Sequence, residues 1–202
     1  MNITWHGQTC FSLNFQKGKE TINVLFNPVD KETGLKPVKK EPDILILTNG
    51  FEKKQSGFLI DGPGEYEIKG IVINGLYSFD NGSVDPNNTV YLLEGEDLKI
   101  CHLGFLKQKE LKKEQLDELG EIDILLLPIG KGAKEAVNIM SQIEPKIVIP
   151  MYYHVPGLKE KLEKLDSFLK ILGIKSTESL AKLSVKKKDL LNQDPKIIIL
   201  QN

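Results

Sequence analysis

Few residues in this chain of 202 could do chemistry. Its imidazoles are His6, His102 and His154, and its thiols are Cys10 and Cys101, far apart and in no Cys-x-x-Cys pair. Asp61 and Asp80 stand as single carboxylates. The apolar run Pro42-Asp43-Ile44-Leu45-Ile46-Leu47-Thr48 ends at Asn49-Gly50-Phe51-Glu52-Lys53-Lys54, which places two ammonium groups beside a third carboxylate. A hydrolytic metal centre needs several imidazole nitrogens and a carboxylate converging on one point. Acyl transfer needs a nucleophile with a base in reach. Three dispersed histidines read first as surface residues or as hydrogen-bonded partners. The two cysteines lack a convincing local base. There is no G-x-S-x-G elbow, no Walker A sequence and no helix-turn-helix or RNA-binding signature. Gly62-Pro63-Gly64 is a tight turn, not a phosphate cradle.

The elements that must position these residues change character along the chain. Cys10 to Phe15 and Thr21 to Phe26 alternate around Lys17-Gly18-Lys19, which predicts a hairpin, and Asn27-Pro28 ends it. Asp30 to Pro42 is polar and rich in Lys, Gly and Pro, a surface loop. Phe58 to Ile60 and Tyr66 to Ile73 read as strands. Asn81-Gly82 and Asn87-Asn88 read as turns before strands at Thr89 to Leu93 and Leu98 to Cys101. The second half alternates helices with buried strands. Leu111, Leu116 and Leu119 mark a helix stopped by Gly120. Ile122 to Leu127 and Ile147 to Ile149 are continuously apolar apart from Asp123, as strands covered on both faces must be. Between them, Ala133 to Ile143 keeps helical spacing and Pro145 ends it. Leu158, Leu162, Leu165, Leu169 and Leu172 predict one longer helix stopped by Gly173, and Ile197 to Leu200 a closing strand. Pattern alone gives an α/β chain of one domain, residues 1–202, with no internal repeat.

Composition narrows the partners. Hydrophobic residues make up 40% and charged residues 27%, and the formal net charge is -1, so no basic field draws in nucleic acid or an anionic membrane. All 27 basic residues are lysine, so a phosphate would meet ammonium or backbone N–H groups, not guanidinium forks. No apolar run reaches membrane-spanning length, and the chain opens directly on a strand pattern, with no targeting segment. Two free thiols suit a reducing, cytoplasmic location.

Several blocks, in order, resemble a known family. Ile3-Thr4-Trp5-His6-Gly7-Gln8-Thr9-Cys10-Phe11, Asp61-Gly62-Pro63-Gly64-Glu65-Tyr66-Glu67, Cys101-His102-Leu103-Gly104, Leu126-Leu127-Pro128-Ile129-Gly130 and Pro145 to Met151 are similar to small prokaryotic metallo-β-lactamase-fold hydrolases related to ascorbate-6-phosphate lactonase. The resemblance implies a four-layer αββα sandwich, two mixed sheets flanked by helices. It also implies a dinuclear zinc or manganese site built on Thr-His-x-His-x-Asp-His. This chain carries Asn49, Phe51, Lys53 and Lys54 at those ligand positions. Asp80 follows Ser78-Phe79 where a further histidine is expected, Phe105 replaces the bridging aspartate after Gly104, Tyr152 replaces the last histidine, and Asn27 stands in the early Asp-Pro pair. The expectation is therefore a non-catalytic binding or structural subunit without a metal cofactor, a homo-oligomer or the companion of an intact paralogue. Its former active-site cleft would comprise Asn49, Phe51, Lys53, Lys54, Asp80, His102, Phe105, Tyr152 and His154, with aromatic rings filling it. The alternative is a hydrolase of a lactone or phosphate-bearing small molecule, using a single metal at remodelled ligands such as His102, Asp80 and His154, or no metal at all. The sequence does not name the ligand.

Overall fold

The computed structural model describes residues 1–39, 41–49, 56–175, 179–191 and 194–202. Alternation shapes the first three strands of its first sheet. In β1 (Asn2–Trp5), β2 (Phe11–Lys17) and β3 (Glu20–Phe26) the core-facing side chains fall at every second position, and Leu25 is buried on the other face as well. Trp5, Phe11, Leu13, Phe15, Val24 and Phe26 thus face the interior. β2 pairs antiparallel with both β1 and β3. β4 (Ile44–Ile46) then runs parallel to β3, and β5 (Phe58–Ile60) parallel to β4.

The second sheet starts as a meander. β6 (Gly64–Ile68), β7 (Ile71–Asp80), β8 (Ser83–Gly95) and β9 (Leu98–His102) pair antiparallel in sequence order. β10 (Ile124–Pro128) and β11 (Ile147–Met151) continue it in parallel. The helices between and after them, α1 (Lys113–Leu119), α2 (Ala133–Ile143) and α3 (Leu165–Ile171), cover the sheet, so β10 and β11 are buried almost throughout. Short pieces close the molecule. β12 (Ser179–Leu180) pairs with β15 (Ile199–Leu200), β13 (Leu183–Ser184) extends the first sheet beside β1, and β14 (Lys196–Ile197) extends the second beside β11. The result is a four-layer αββα sandwich of two mixed sheets, of six and seven strands. One apolar cluster runs between the sheets and under the helices.

Four expectations need correction. Ile197 to Leu200 is not one closing strand: β14 ends at Ile197 beside β11 and β15 begins at Ile199 beside β12, with Ile198 N donating to Val148 O (2.9 Å) between them. Tyr66 to Ile73 is not one strand: Lys69 and Gly70 both take positive φ (55° and 82°), a two-residue turn that reverses the chain between β6 and β7. Asn87-Asn88 is not a turn but lies inside β8, opposite a bulge between Tyr77 and Phe79. The leucine stripe from Leu158 to Leu172 forms a helix only from Leu165. Tertiary bonds claim the backbone before it: Lys159 N donates to Thr33 O (3.0 Å), His154 N to Glu163 O (2.9 Å) and Glu163 N to Gly130 O (3.0 Å). An i→i−4 ladder cannot form through groups already taken.

The two sheets are also bonded to each other at one end. Thr89 N donates to Thr48 O (2.7 Å) and Tyr152 N to Gln8 O (2.9 Å). The buried Tyr91 hydroxyl lies 3.2 Å from Leu47 O and 3.1 Å from Gly62 O. Within the second sheet, next to Thr89, Asn88 ties strand ends together. Its Nδ2 donates to Ser78 Oγ (3.2 Å) and Leu103 O (3.1 Å), and its Oδ1 accepts from Phe105 N (2.7 Å). Asn88→Ala should cost about 2–4 kcal/mol, because it strands several buried polar groups at once. Urea unfolding of the purified variant measures this, and a loss below about 1 kcal/mol would show that the network carries little of the stability.

Candidate functional site

β3, β4, β9, β10 and β11 run parallel within their sheets, so their carboxyl ends open along one edge, the usual place for a site in such sheets. Four of these ends deliver residues there: Asn27 after β3, Thr48 and Asn49 after β4, Gly104 and Phe105 after β9, and Tyr152 after β11. Asn27, Asn49, Phe105 and Tyr152 line one cleft of about 1390 Å³, together with Gln8, Thr9, Asn87, Lys107 and Glu160. The loop from Asp30 to Glu41 forms its outer wall and contributes Lys31 and Lys39.

The floor is made of uncharged, mutually bonded groups. Asn27 is buried with φ of 41°, and its Nδ2 donates to Thr9 Oγ1 (3.0 Å) and Thr48 Oγ1 (2.8 Å) while its Oδ1 accepts from Thr48 N (2.8 Å). Gly104 is required beside it. Its φ is 61°, and a Cβ there would lie 2.2 Å from Asn88 Oδ1 and 2.8 Å from Thr48 Cβ.

The aromatic positions meet. The rings of Phe105 and Tyr152 lie edge-to-face, with centroids 4.9 Å apart. Tyr152 holds a left-handed backbone (φ 54°) and donates its hydroxyl to Glu160 Oε1 (2.7 Å). Glu160 is further engaged by Gln8 Nε2 (3.2 Å) and Lys131 Nζ (3.0 Å). Burial and the Glu160 carboxylate both raise the Tyr152 pKa, so the phenol keeps its proton at neutral pH.

The other residues expected at the cleft go elsewhere. His102 is fully buried beneath the floor. It is stacked on Phe26 with centroids 4.3 Å apart, and Phe11 meets it edge-on. Its Nε2 lies 3.0 Å from Thr9 O and its Nδ1 accepts from Gly104 N (3.0 Å), so the proton sits on Nε2 and neither nitrogen is free. Burial lowers its pKa to about 4. Asp80 lies 3.4 Å from Lys107 Nζ, which also lies 3.1 Å from the buried Asp85. His154 is exposed. The single-metal arrangement of His102, Asp80 and His154 is thus not built, since two of the three are committed to other partners. Phe51, Lys53 and Lys54 lie outside the described residues, and with them any statement about their orientation. Cys10 and Cys101 are buried free thiols, as expected, and burial pushes Cys10 up to about 12.

A metal pair does not fit the donors present. Phe105 has no lone pair to give, the Tyr152 phenol is held protonated by Glu160, and His102 is closed on both nitrogens. Among the described residues Asn49 Oδ1 is buried without a hydrogen-bond partner, but one neutral amide oxygen does not hold a divalent ion. Among the described residues no group of three or more His, Cys, Asp or Glu side chains could hold one. Lys107, Gln8 and Glu160 had no sequence signal. The first two sit in aperiodic loops, and Glu160 fell within a segment whose leucine spacing pointed to helix.

Fold and cleft together define a metallo-β-lactamase-type sandwich. The sequence profile of the Beta-lactamase superfamily domain matches residues 2–152, and the chain belongs to that family. It is 23% identical over 220 residues to a UPF0173 metal-dependent hydrolase of Methanopyrus kandleri, covering 86% of this chain and 94% of the relative. It is 30% identical over 202 residues to another of Thermoplasma acidophilum, covering 76% and 84%. A crystal structure of a metallo-beta-lactamase superfamily protein from Thermotoga maritima superposes with a TM-score of 0.80 at 31% identity, covering 98% and 97% of the two chains. Among the described residues no helix is long and apolar enough to cross a membrane.

His102 links this site to stability. Its imidazole is neutral when folded down to about pH 4, while the unfolded chain protonates it near its ordinary 6.5. Its contribution is intact above pH 6.5 and is lost as pH falls from 6.5 toward 4, a drop on the order of 3 kcal/mol. His102→Gln, which retains a donor for Thr9 O, should lack this component. Urea melts of both proteins at pH 7 and pH 4.5 measure the difference. Equal pH slopes would contradict the assignment.

Proposed function

We propose that this chain is a metal-independent member of its family that works as a binding or structural subunit in the cytoplasm. It acts within a homo-oligomer or beside a paralogue that keeps its metal centre. The observation that carries the reading is the fate of the metal-binding positions. Phe105 and Tyr152, which the resemblance puts at two of them, are in direct contact, and His102 below is sealed by Thr9 and Gly104. Hydrolysis in the family needs a Lewis acid to polarise the scissile group and to make hydroxide from water. Groups that hold no metal cannot supply that step.

The cleft keeps room for a ligand of metabolite size. Kinship to ascorbate-6-phosphate lactonase would make that ligand a small phosphate-bearing or lactone-like molecule, bound without turnover. Lys31, Lys39 and Lys159 among the lining residues supply its counter-charge, beside the carboxylates of Asp30, Glu32, Glu41 and Glu160.

Elemental analysis after dialysis against a weak chelator tests the reading. It should find well under one zinc, manganese or iron per chain, and EDTA should leave the melting temperature unchanged, because no metal-binding free energy is linked to folding. One equivalent of retained metal, or a drop of several degrees with EDTA, would refute it.

A further inference from the structure

On the face of the first sheet turned away from the second lies a small polar centre that owes nothing to the metal-site positions. The β1–β2 register sets Thr4 opposite Ser12, and the β2–β3 register sets Asn14 opposite Asn23. Strand alternation puts all four on this face, since Trp5, Phe11 and Leu13 point into the core. His6 follows β1 in a closed turn: His6 N donates to Cys10 O (2.9 Å) and Cys10 N to Gly7 O (2.9 Å). The imidazole is held with Nε2 2.8 Å from Ser12 Oγ.

Both residues line a cavity of about 200 Å³ whose other walls include Asn14, Asn23, Val38 and Glu41. Val38 and Glu41 also line the main cleft, so the two spaces are neighbours. The amides are fixed. Asn14 Nδ2 donates to Asn23 Oδ1 (2.7 Å), and Asn23 Nδ2 donates to Asp43 Oδ2 (3.2 Å). An amide nitrogen carries two donors, so Asn14 has a second N–H for a carbonyl oxygen held in the cavity.

We infer that Ser12 and His6 form a metal-independent nucleophilic centre for small acyl esters, with Ser12 Oγ as nucleophile and His6 Nε2 as its base. The two atoms stand within the distance that proton transfer to a base requires. Burial lowers the His6 pKa, so the ring is neutral at pH 7 and able to accept a proton. In the first step Ser12 Oγ bonds to the ester carbonyl carbon and its proton passes to His6 Nε2. The tetrahedral adduct then collapses, the bond to the alcohol oxygen breaks, and that oxygen takes the proton from His6. Water attacks the acyl-Ser12 ester, giving its proton to His6. The acid leaves, and Ser12 Oγ recovers the proton. This centre stands independently of the fate of the metal positions.

The full-length protein treated with a small alkyl fluorophosphonate in the presence of EDTA tests the inference, with the adduct mapped by peptide mass spectrometry. The expected result is a single adduct on Ser12, absent from Ser12→Ala. In His6→Gln, which keeps a hydrogen-bonding group beside Ser12 but no base, labelling should be roughly 100-fold slower. In the wild type the labelling rate should rise with pH below 6.5 and level off above it, following deprotonation of an imidazole whose pKa is depressed. Melting curves of both variants establish that they are folded. A folded wild type with no adduct on Ser12, or one labelled equally fast in His6→Gln, would reduce the contact to an ordinary hydrogen bond on the sheet surface and overturn the proposal.

Discussion

Two stacked sheets can bury apolar side chains along their whole length, but where their strands end together the backbone turns polar and must be satisfied without water. This molecule meets that constraint with one connected set of uncharged hydrogen bonds. Thr89 N donates to Thr48 O, Asn27 binds Thr48 and Thr9, His102 reaches from β9 to Thr9 O, and Asn88 gathers Ser78, Leu103 and Phe105. Each sheet places the loop ends of the other. The geometry of the cleft depends on this set, because Asn49, Phe105 and Tyr152 hang from the same strand ends.

A metal centre would satisfy the same constraint differently, by gathering charged and imidazole ligands whose mutual repulsion only the ion relieves. Without the ion such a cluster is costly to bury. Neutral amides and hydroxyls that bond each other carry no such penalty. Asn27 has this logic: its side chain donates twice and accepts once, which a carboxylate cannot do. Charge gathers around this floor, where Glu160 is shared by Tyr152, Gln8 and Lys131, where Lys107 sits between Asp80 and Asp85, and along the loop that contributes Lys31 and Lys39.

The elements with one-sided periodicity were legible without coordinates. The hairpin of β2 and β3, the buried β10 and β11, and helices α1 and α2 read directly from alternation, continuous apolar runs and helical spacing. The α3 segment misled because Leu158 and Leu162 keep the same spacing as Leu165 and Leu169. Spacing reports where side chains are apolar, not whether backbone groups are free to form a ladder. Those of Lys159 and Glu163 are bound to Thr33, Gly130 and His154. Asn88 misled in the opposite sense, since its type suggests a turn and its role is to cross-link strand ends.

The chain itself determined the sandwich and the scarcity of imidazoles, three in all, because both are properties of residue type and order. Tertiary structure decided what became of the vacated positions. Sequence cannot tell whether Phe105 and Tyr152 meet, whether His102 faces the cleft or the core, or that His6 reaches Ser12, since each depends on the register and stacking of strands from distant parts of the chain. A one-residue change of register would turn every one of these side chains to the opposite face.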